Sequence, residues 1–499
     1  MELQFTLIFT SILFLFMLLQ LTRSKLQNRN SKLPPQPWKL PIIGHLHHLL
    51  GHLPHRTLSY LAIKHGPLIF LRLGEIPMVV ASSPRVAKEI LKTNDIVFSD
   101  RGALLAGKIL TYDNAGILFS PYNERWRQLR KICTLELLSA KKVQSFFAIR
   151  EEEVANLVEN IFAMSGSPVD LTQKISLLGN DITSRAAFGK KCKEKEMFLS
   201  LMREVGRYGS GFAIADLFPS FKLFHGISGV KAKLEKIQYK INKILDDILN
   251  EHRLNRMKNN STNNCKMEED LVDVLLRVQE DNLEFHIDDN SIKAVILEIF
   301  IAGSESPSAT VEWAMSELMK NPRVMEKTQS EVRKVFQGKQ KVCQSDINEL
   351  NYLRCVIKET LRLHPPTPLL VPRESRERCE INGYEIAKGT KVIVNAWAIG
   401  RDPEYWSEAE IFKPERFEDL SVNYMGTNFE YIPFGAGKRI CPGITYGIAN
   451  LEIQLAQLLY HFDWKLTKGK ELDMTERSAG TVGRNSNLRL IPTPYIVLN

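Results

Sequence analysis

The sequence predicts a mainly α-helical protein with a minor β-sheet, one large domain carried behind an N-terminal transmembrane helix. Three observations predict it. Residues 3–21 are uncharged and mostly apolar. From Ser83 onward apolar residues recur at spacings of three and four, the helical period. Short strand-like runs occur only around 68–82 and again past residue 380.

At 1.5 Å per residue, about 19 residues span roughly 28 Å, close to the hydrocarbon thickness of a bilayer. A cleaved signal peptide would start with positive charge, carry a shorter apolar core and end in small residues. Here Glu2 precedes the run, and Arg23, Lys25, Arg29 and Lys32 follow it. The positive-inside rule then keeps the following chain in the cytosol. Residues 1–22 are expected to be a retained signal anchor. Residues 23–44 form a basic, proline-rich hinge, because Pro34, Pro35, Pro37 and Pro41 cannot continue a helix. Residues 45–499 make the globular domain.

Within that domain, 68–82 reads as two strands around a turn at Gly74. Helical spacing covers segments near 84–93, 124–136, 139–164, 195–207, 229–256, 268–279, 289–319 and 322–337. The polar tract 257–264 has no core-forming pattern and is expected to be a surface loop. Strands return at 379–381, 384–386 and 391–395, and a last helix is expected over 444–462.

Composition narrows the function. With 44% apolar and 25% charged residues the chain is an ordinary globular protein, and its net charge of +9 is moderate. No dense basic helix, zinc-finger spacing or aromatic RNA-binding motif is present, so no nucleic-acid partner is expected. A membrane surface and acidic protein partners suit the charge better. The seven cysteines are scattered, with no C-x-x-C pair, which argues against a disulfide framework or structural zinc.

Four stretches carry chemistry. Phe434–Gly443 holds Cys441 among three glycines, Lys438, Arg439 and Pro442. Glycines let a backbone approach a flat ligand, and nearby cations favour an anionic sulfur, so the loop suits an axial thiolate to haem iron. A small buried hydrophobe is the plainer alternative for a lone cysteine. A phosphate loop is excluded, because Ile432 and Arg439 stand where Gly and Ser or Thr are needed. Glu359 and Arg362 share a helix face at i,i+3, and Arg416 in Pro414-Glu415-Arg416-Phe417 offers a second guanidinium; a surface pair is the alternative to a buried lock. Trp126 and Arg130 lie one turn apart and suit either an anionic group or core packing. Finally, the apolar run 294–303 meets Ser304, Glu305, Ser306 and Pro307. Pro307 removes the N–H due to the Gly303 carbonyl, so a distorted turn is expected there, beside a polar groove or a capped helix end.

Order and spacing together resemble the cytochrome P-450 superfamily of haem-thiolate monooxygenases, specifically its plant microsomal A-type group. The likeness runs from about residue 34 to the C-terminus. Its most specific element is F-x-x-G-x-R-x-C-x-G at Phe434, Gly437, Arg439, Cys441 and Gly443. The resemblance implies the P-450 fold, haem b, and Cys441 as the metal ligand on the iron. It implies Trp126, Arg130, Arg373 and Arg439 as cofactor-binding residues around the haem propionates, with Glu359, Arg362 and Arg416 as a structural lock. Ala302 to Pro307 align with A-G-x-[DE]-T-[ST], making Glu305 and Ser306 the catalytic acid–alcohol pair. Two departures stand out: Ser306 replaces Thr, and Pro307 replaces a hydroxyl residue.

The same resemblance gives Leu118, Ile299, Ala302, Leu369, Leu370 and Ala479 as pocket contacts. It implies oxygen insertion into a hydrophobic plant metabolite, a terpenoid before a fatty acid or phenolic. Lacking a G-x-G-x-x-G fingerprint, the chain needs NADPH electrons from a separate cytochrome P-450 reductase. Lys131 and Lys438 are its expected docking cations, on an endoplasmic-reticulum membrane with the domain facing the cytosol. A reductase-independent isomerase or dehydratase of oxygenated lipids and a non-catalytic membrane haem protein are the alternatives.

Overall fold

The computed structural model describes residues 32–102, 104–191, 197, 198, 200, 201, 204, 205, 214–220, 229–262, 269–281, 287–339, 342–467, 469, 471–477 and 480–495. The expected anchor at 1–22, the first part of the hinge, part of the helical segment expected near 195–207 and Ala479 lie outside the described residues.

In chain order the strands are β1 (Leu68–Leu73), β2 (Ile76–Ala81), β3 (Val169–Asp170), β4 (Arg373–Glu374), β5 (Cys379–Ile381), β6 (Tyr384–Ile386), β7 (Lys391–Val394), β8 (Phe462–Leu466), β9 (Glu476–Arg477), β10 (Gly483–Arg484) and β11 (Arg489–Pro494). The helices that build the site are α1 (Pro54–His65), α2 (Glu124–Ile132), α3 (Phe147–Phe162), α4 (Leu171–Phe188), α5 (Val230–Thr262), α6 (Leu271–Asp281), α7 (Asp289–Lys320), α8 (Pro322–Phe336), α9 (Asn351–Leu363) and α10 (Ile444–His461).

The prolines of 34–41 keep the chain extended, and it hooks onto the first sheet where the Phe70 N–H donates to the Pro35 carbonyl at 2.9 Å. Gly44 sits at φ +63°, and a Cβ there would lie 2.1 Å from the Arg72 carbonyl oxygen. No other residue fits. The main sheet runs β1-β2-β7-β4: an antiparallel hairpin, a parallel β2–β7 pair with Met78 opposite Lys391, and an antiparallel edge that carries Arg373.

Apolar over most of its length and buried on every side in both halves, α7 runs through the middle of the domain. Asp288 caps it, accepting from the Ser291 N–H at 2.9 Å. Its first half, from Ile292 to Phe300, packs in a core shared with α4, α5 and α6. Its second half, from Val311 to Leu318, packs with α3, α4, α8, α9 and α10. Between the halves Ala302 is exposed and Gly303, Glu305 and Ser306 are half-buried. By length and composition α7 is also the one helix among the described residues apolar enough to cross a membrane, but more than half of that stretch is buried in the protein.

One expectation is corrected. The surface loop expected at 257–264 is helical as far as Thr262, because α5 continues past its core-facing stripe. Extending a formed helix costs far less than starting one. The helix expected over 289–319 is observed as α7, continuous from Asp289 to Lys320 through Pro307, so the alternative of a capped helix end is excluded. Pro307 is buried, and a single missing bond is outweighed by packing on both sides.

Candidate active site

The cysteine loop is fixed before its sulfur is considered. Gly437 adopts φ +70° and a Cβ there would lie 2.2 Å from the Leu91 carbonyl oxygen, so the backbone can pass only as glycine. The Asp95 carboxylate accepts from the Lys438 N–H at 2.7 Å and from Arg373 Nη1 at 2.9 Å. Arg373 Nη2 also donates to the Ala436 carbonyl at 2.7 Å, and the Cys441 N–H donates to the Phe434 carbonyl at 3.0 Å. Burial raises the Cys441 thiol above its ordinary range, while the Gly443 N–H and Arg130 pull the other way.

Four guanidiniums gather beside the loop. Arg439 donates to the carbonyls of Ser99 (2.8 Å), Ile117 (3.1 Å) and Ser120 (2.6 Å). Arg101 donates to those of Leu118 (3.1 Å), Val371 (2.5 Å) and Pro372 (2.8 Å). Arg130 donates to the Ile440 carbonyl, and Arg373 bonds as above. Burial followed by repulsion from Arg373 brings Arg439 down to about 9. Burial, then Arg439, Arg373 and Arg130, push Arg101 well down too. Three of the four answer to neutral carbonyls, so the cluster holds positive charge that an anion would relieve. The indole N–H of Trp126 goes to the Ile117 carbonyl at 2.9 Å. It fixes a loop here.

Opposite lies α7. Thr481 Oγ1 donates to Glu305 Oε2 at 3.4 Å, and Thr310 Oγ1 donates to the Ser306 carbonyl at 2.9 Å. Of the expected pocket contacts, Ile299 and Ala302 are on this helix and Leu118 is on the loop facing it. Leu370, at the strained φ of +51°, sits with Cδ1 3.7 Å from where a Gly435 Cβ would be, whereas Leu369 packs towards the β1–β2 core.

Behind the loop the lock is complete and dry. Glu359, 0% exposed, accepts from Arg362 Nε (2.7 Å) and Nη2 (2.8 Å), from Arg416 Nε (3.0 Å) and from the Lys413 N–H (2.8 Å). Arg362 spends its remaining donors on the Gly400 (2.6 Å), Ala409 (2.7 Å) and Ile411 (3.2 Å) carbonyls.

Sequence reasoning missed Arg101, Asp95 and Glu298. For the first two no local pattern exists. Glu298 did carry a signal, as the lone acid inside the apolar run 294–303.

This helical fold with its cysteine loop defines a haem-protein class, and comparison with known proteins specifies it. The cytochrome P-450 family pattern matches residues 34–492. The chain is 55% identical to desmethyl-deoxy-podophyllotoxin synthase of Sinopodophyllum hexandrum, covering 97% of this chain and 96% of that protein. It is 51% identical to premnaspirodiene oxygenase of Hyoscyamus muticus (98% and 97% covered) and 50% identical to germacrene A hydroxylase of Barnadesia spinosa (100% and 99%). A zebra fish cytochrome P-450 structure with abiraterone superimposes with a TM-score of 0.75 at 24% identity, covering 89% of this chain and all of that one, which supports the fold. The chain belongs to the cytochrome P-450 family and is a monooxygenase of its plant A-type group.

That family carries haem iron. The residues present fit such a group. A porphyrin with two carboxylates matches the buried arginines, and Gly443 puts no side chain against Cys441 Sγ, where a Cβ would lie 3.9 Å away.

Proposed function

We propose that the protein inserts one oxygen atom from O2 into a terpenoid, using NADPH electrons delivered by a separate reductase. The observation that carries this is the buried arginine cluster beside Cys441, on a loop that α7 holds through Glu298. Haem, when bound, supplies the oxygen and redox chemistry. Cys441 would hold it through its sulfur, and Arg101, Arg130, Arg373 and Arg439 would hold its carboxylates. Ser306 carries a proton on Oγ at the distal face, and Glu305, steadied by Thr481, replenishes it. Leu118, Ile299 and Ala302 line an apolar wall that orients the substrate and excludes water. The terpenoid class is favoured by the names of relatives at 50% identity and above, a premnaspirodiene oxygenase and a germacrene A hydroxylase.

Residues 1–22 anchor the chain in the endoplasmic-reticulum membrane, with the domain in the cytosol. Lys131 and Lys438, both exposed near the cysteine loop, receive the reductase, since complementary charge mainly speeds association. The test is product mass after incubation with reductase, NADPH and a terpenoid panel that includes germacrene A and premnaspirodiene. A product heavier by one oxygen atom, dependent on NADPH, supports the reading. Turnover without NADPH would favour an isomerase, and no turnover under any condition a non-catalytic haem protein.

A further inference from the structure

Glu298 lies one turn before Ala302 on α7 and is 6% exposed. It belongs neither to the acid–alcohol pair nor to the lock. Its Oε2 accepts from the backbone N–H of Ile117 at 2.7 Å and of Leu118 at 3.0 Å. Gly116 makes room for it: a Cβ there would stand 2.3 Å from that oxygen. The carbonyls of the same segment point the other way. That of Ile117 accepts from Arg439 Nη1 and Trp126 Nε1, that of Leu118 from Arg101 Nε, and that of Ser120 from Arg439 Nη2. One stretch of peptide is thus gripped by an acid on its amide side and by two arginines on its carbonyl side.

We propose that Glu298 is a positioning residue: by holding residues 116–120 against α7 it aims Arg101 and Arg439 at the carboxylates of the haem. An amide whose N–H is bonded to a carboxylate presents a stronger carbonyl acceptor on its far side, because chained hydrogen bonds polarise one another. A buried carboxylate with two amide donors is also a stiff tether. The loop carrying Leu118, a wall of the pocket, is therefore coupled to the end of the site that binds the cofactor. This rests on the haem reading above.

The experiment compares wild type, Glu298→Gln, Gly116→Ala and the double variant, with Glu331→Gln as control. Glu331 also takes two successive N–H groups, that of Tyr352 on Oε1 (2.8 Å) and that of Leu353 on Oε2 (2.9 Å), between α8 and α9. Three quantities are read: the rate of haem transfer to excess apomyoglobin, the resonance Raman band of the haem propionates, and the thermal midpoint. Gly116→Ala leaves the carboxyl intact but displaces it, so it perturbs the clamp from the opposite side. Each single variant is expected to speed haem transfer about tenfold, the loss of one charge-assisted bond, and to shift the propionate band. The double variant should stay near tenfold, where independent effects would multiply to about a hundredfold. Glu331→Gln should lower the thermal midpoint and leave haem transfer unchanged. Unaltered transfer and band in both single variants would overturn the proposal, as would equal acceleration in Glu331→Gln. A wild-type protein that takes up no haem refutes the cofactor reading instead, so the two failures are distinct.

Discussion

Arg439 and Trp126 end on the same acceptor. The guanidinium carbon lies 4.1 Å from the indole centroid, and Arg439 Nη1 and Trp126 Nε1 both donate to the Ile117 carbonyl, at 3.1 and 2.9 Å. One residue precedes the cysteine by two positions and the other opens α2, so this carbonyl joins the loop to the helix. A cation over an indole face adds attraction that survives only while both are held in place.

The first prediction concerns the sulfur. Cys441→Ala should abolish the reduced carbon monoxide band near about 450 nm and lower haem occupancy. Normal occupancy with an unchanged band would remove Cys441 from the iron.

The second concerns the distal proton. Ser306→Ala should leave substrate binding intact while NADPH consumption outruns product by about ten- to a hundredfold. Ser306→Thr should keep coupling, since it returns a hydroxyl with a stiffer rotamer. If Ser306→Ala couples as tightly as wild type, the hydroxyl carries no proton that matters.

The lock gives the third. Glu359→Ala strands two buried guanidiniums and the Lys413 N–H, and breaking a buried pair in this way costs about 3–5 kcal/mol. Denaturant unfolding should show that loss together with haem release. A cost below about 1 kcal/mol would make the triad an ordinary surface pair.

A fourth prediction is a pH dependence remote from the haem. His252 Nε2 lies 2.8 Å from Asp270 Oδ2, and its Nδ1 lies 2.8 Å from the Ile248 carbonyl, joining α5 to the start of α6. Burial opposes charge on His252, but the bond to Asp270 and its charge outweigh that and raise the imidazole above its ordinary value. A raised histidine contributes stability that is fully present below the unfolded value of about 6.5 and is lost as pH rises through the folded one. The stability gap between wild type and His252→Gln should therefore be wider at pH 6 than at pH 9. A gap that does not narrow with rising pH would mean the pair holds no proton.

The fifth concerns the segment before the domain. A chain starting at Lys32 should keep its haem spectrum and become extractable without detergent. Loss of the spectrum would mean that residues 1–31 do more than anchor.

What could be read from the sequence follows how far apart the interacting residues are along the chain. Glu359 and Arg362 are three apart on one helix, so the pattern showed both, with Arg416 offered by its own short motif, and the structure adds the Lys413 N–H. The strands at 379–381 and 384–386 and the hairpin at Gly74 were legible for the same local reason. Arg101 reaches Val371, and Glu298 reaches Ile117; these bonds depend on tertiary placement that no periodicity encodes. Pro307 was legible as a proline inside an expected helix. A proline predicts a break only where nothing else holds the helix, and α7 is held on both sides.

The parallel pairing of β2 with β7 has a consequence for how the chain is made. Met78 waits for Lys391, so β2 leaves the ribosome with one hydrogen-bonding edge bare and keeps it bare while roughly 300 further residues are added. At about 5–20 residues per second that is some tens of seconds of exposure, long enough for one nascent chain to pair with another. Translation speed and chaperone supply should therefore limit the yield of this protein as strongly as the stability of its finished fold does.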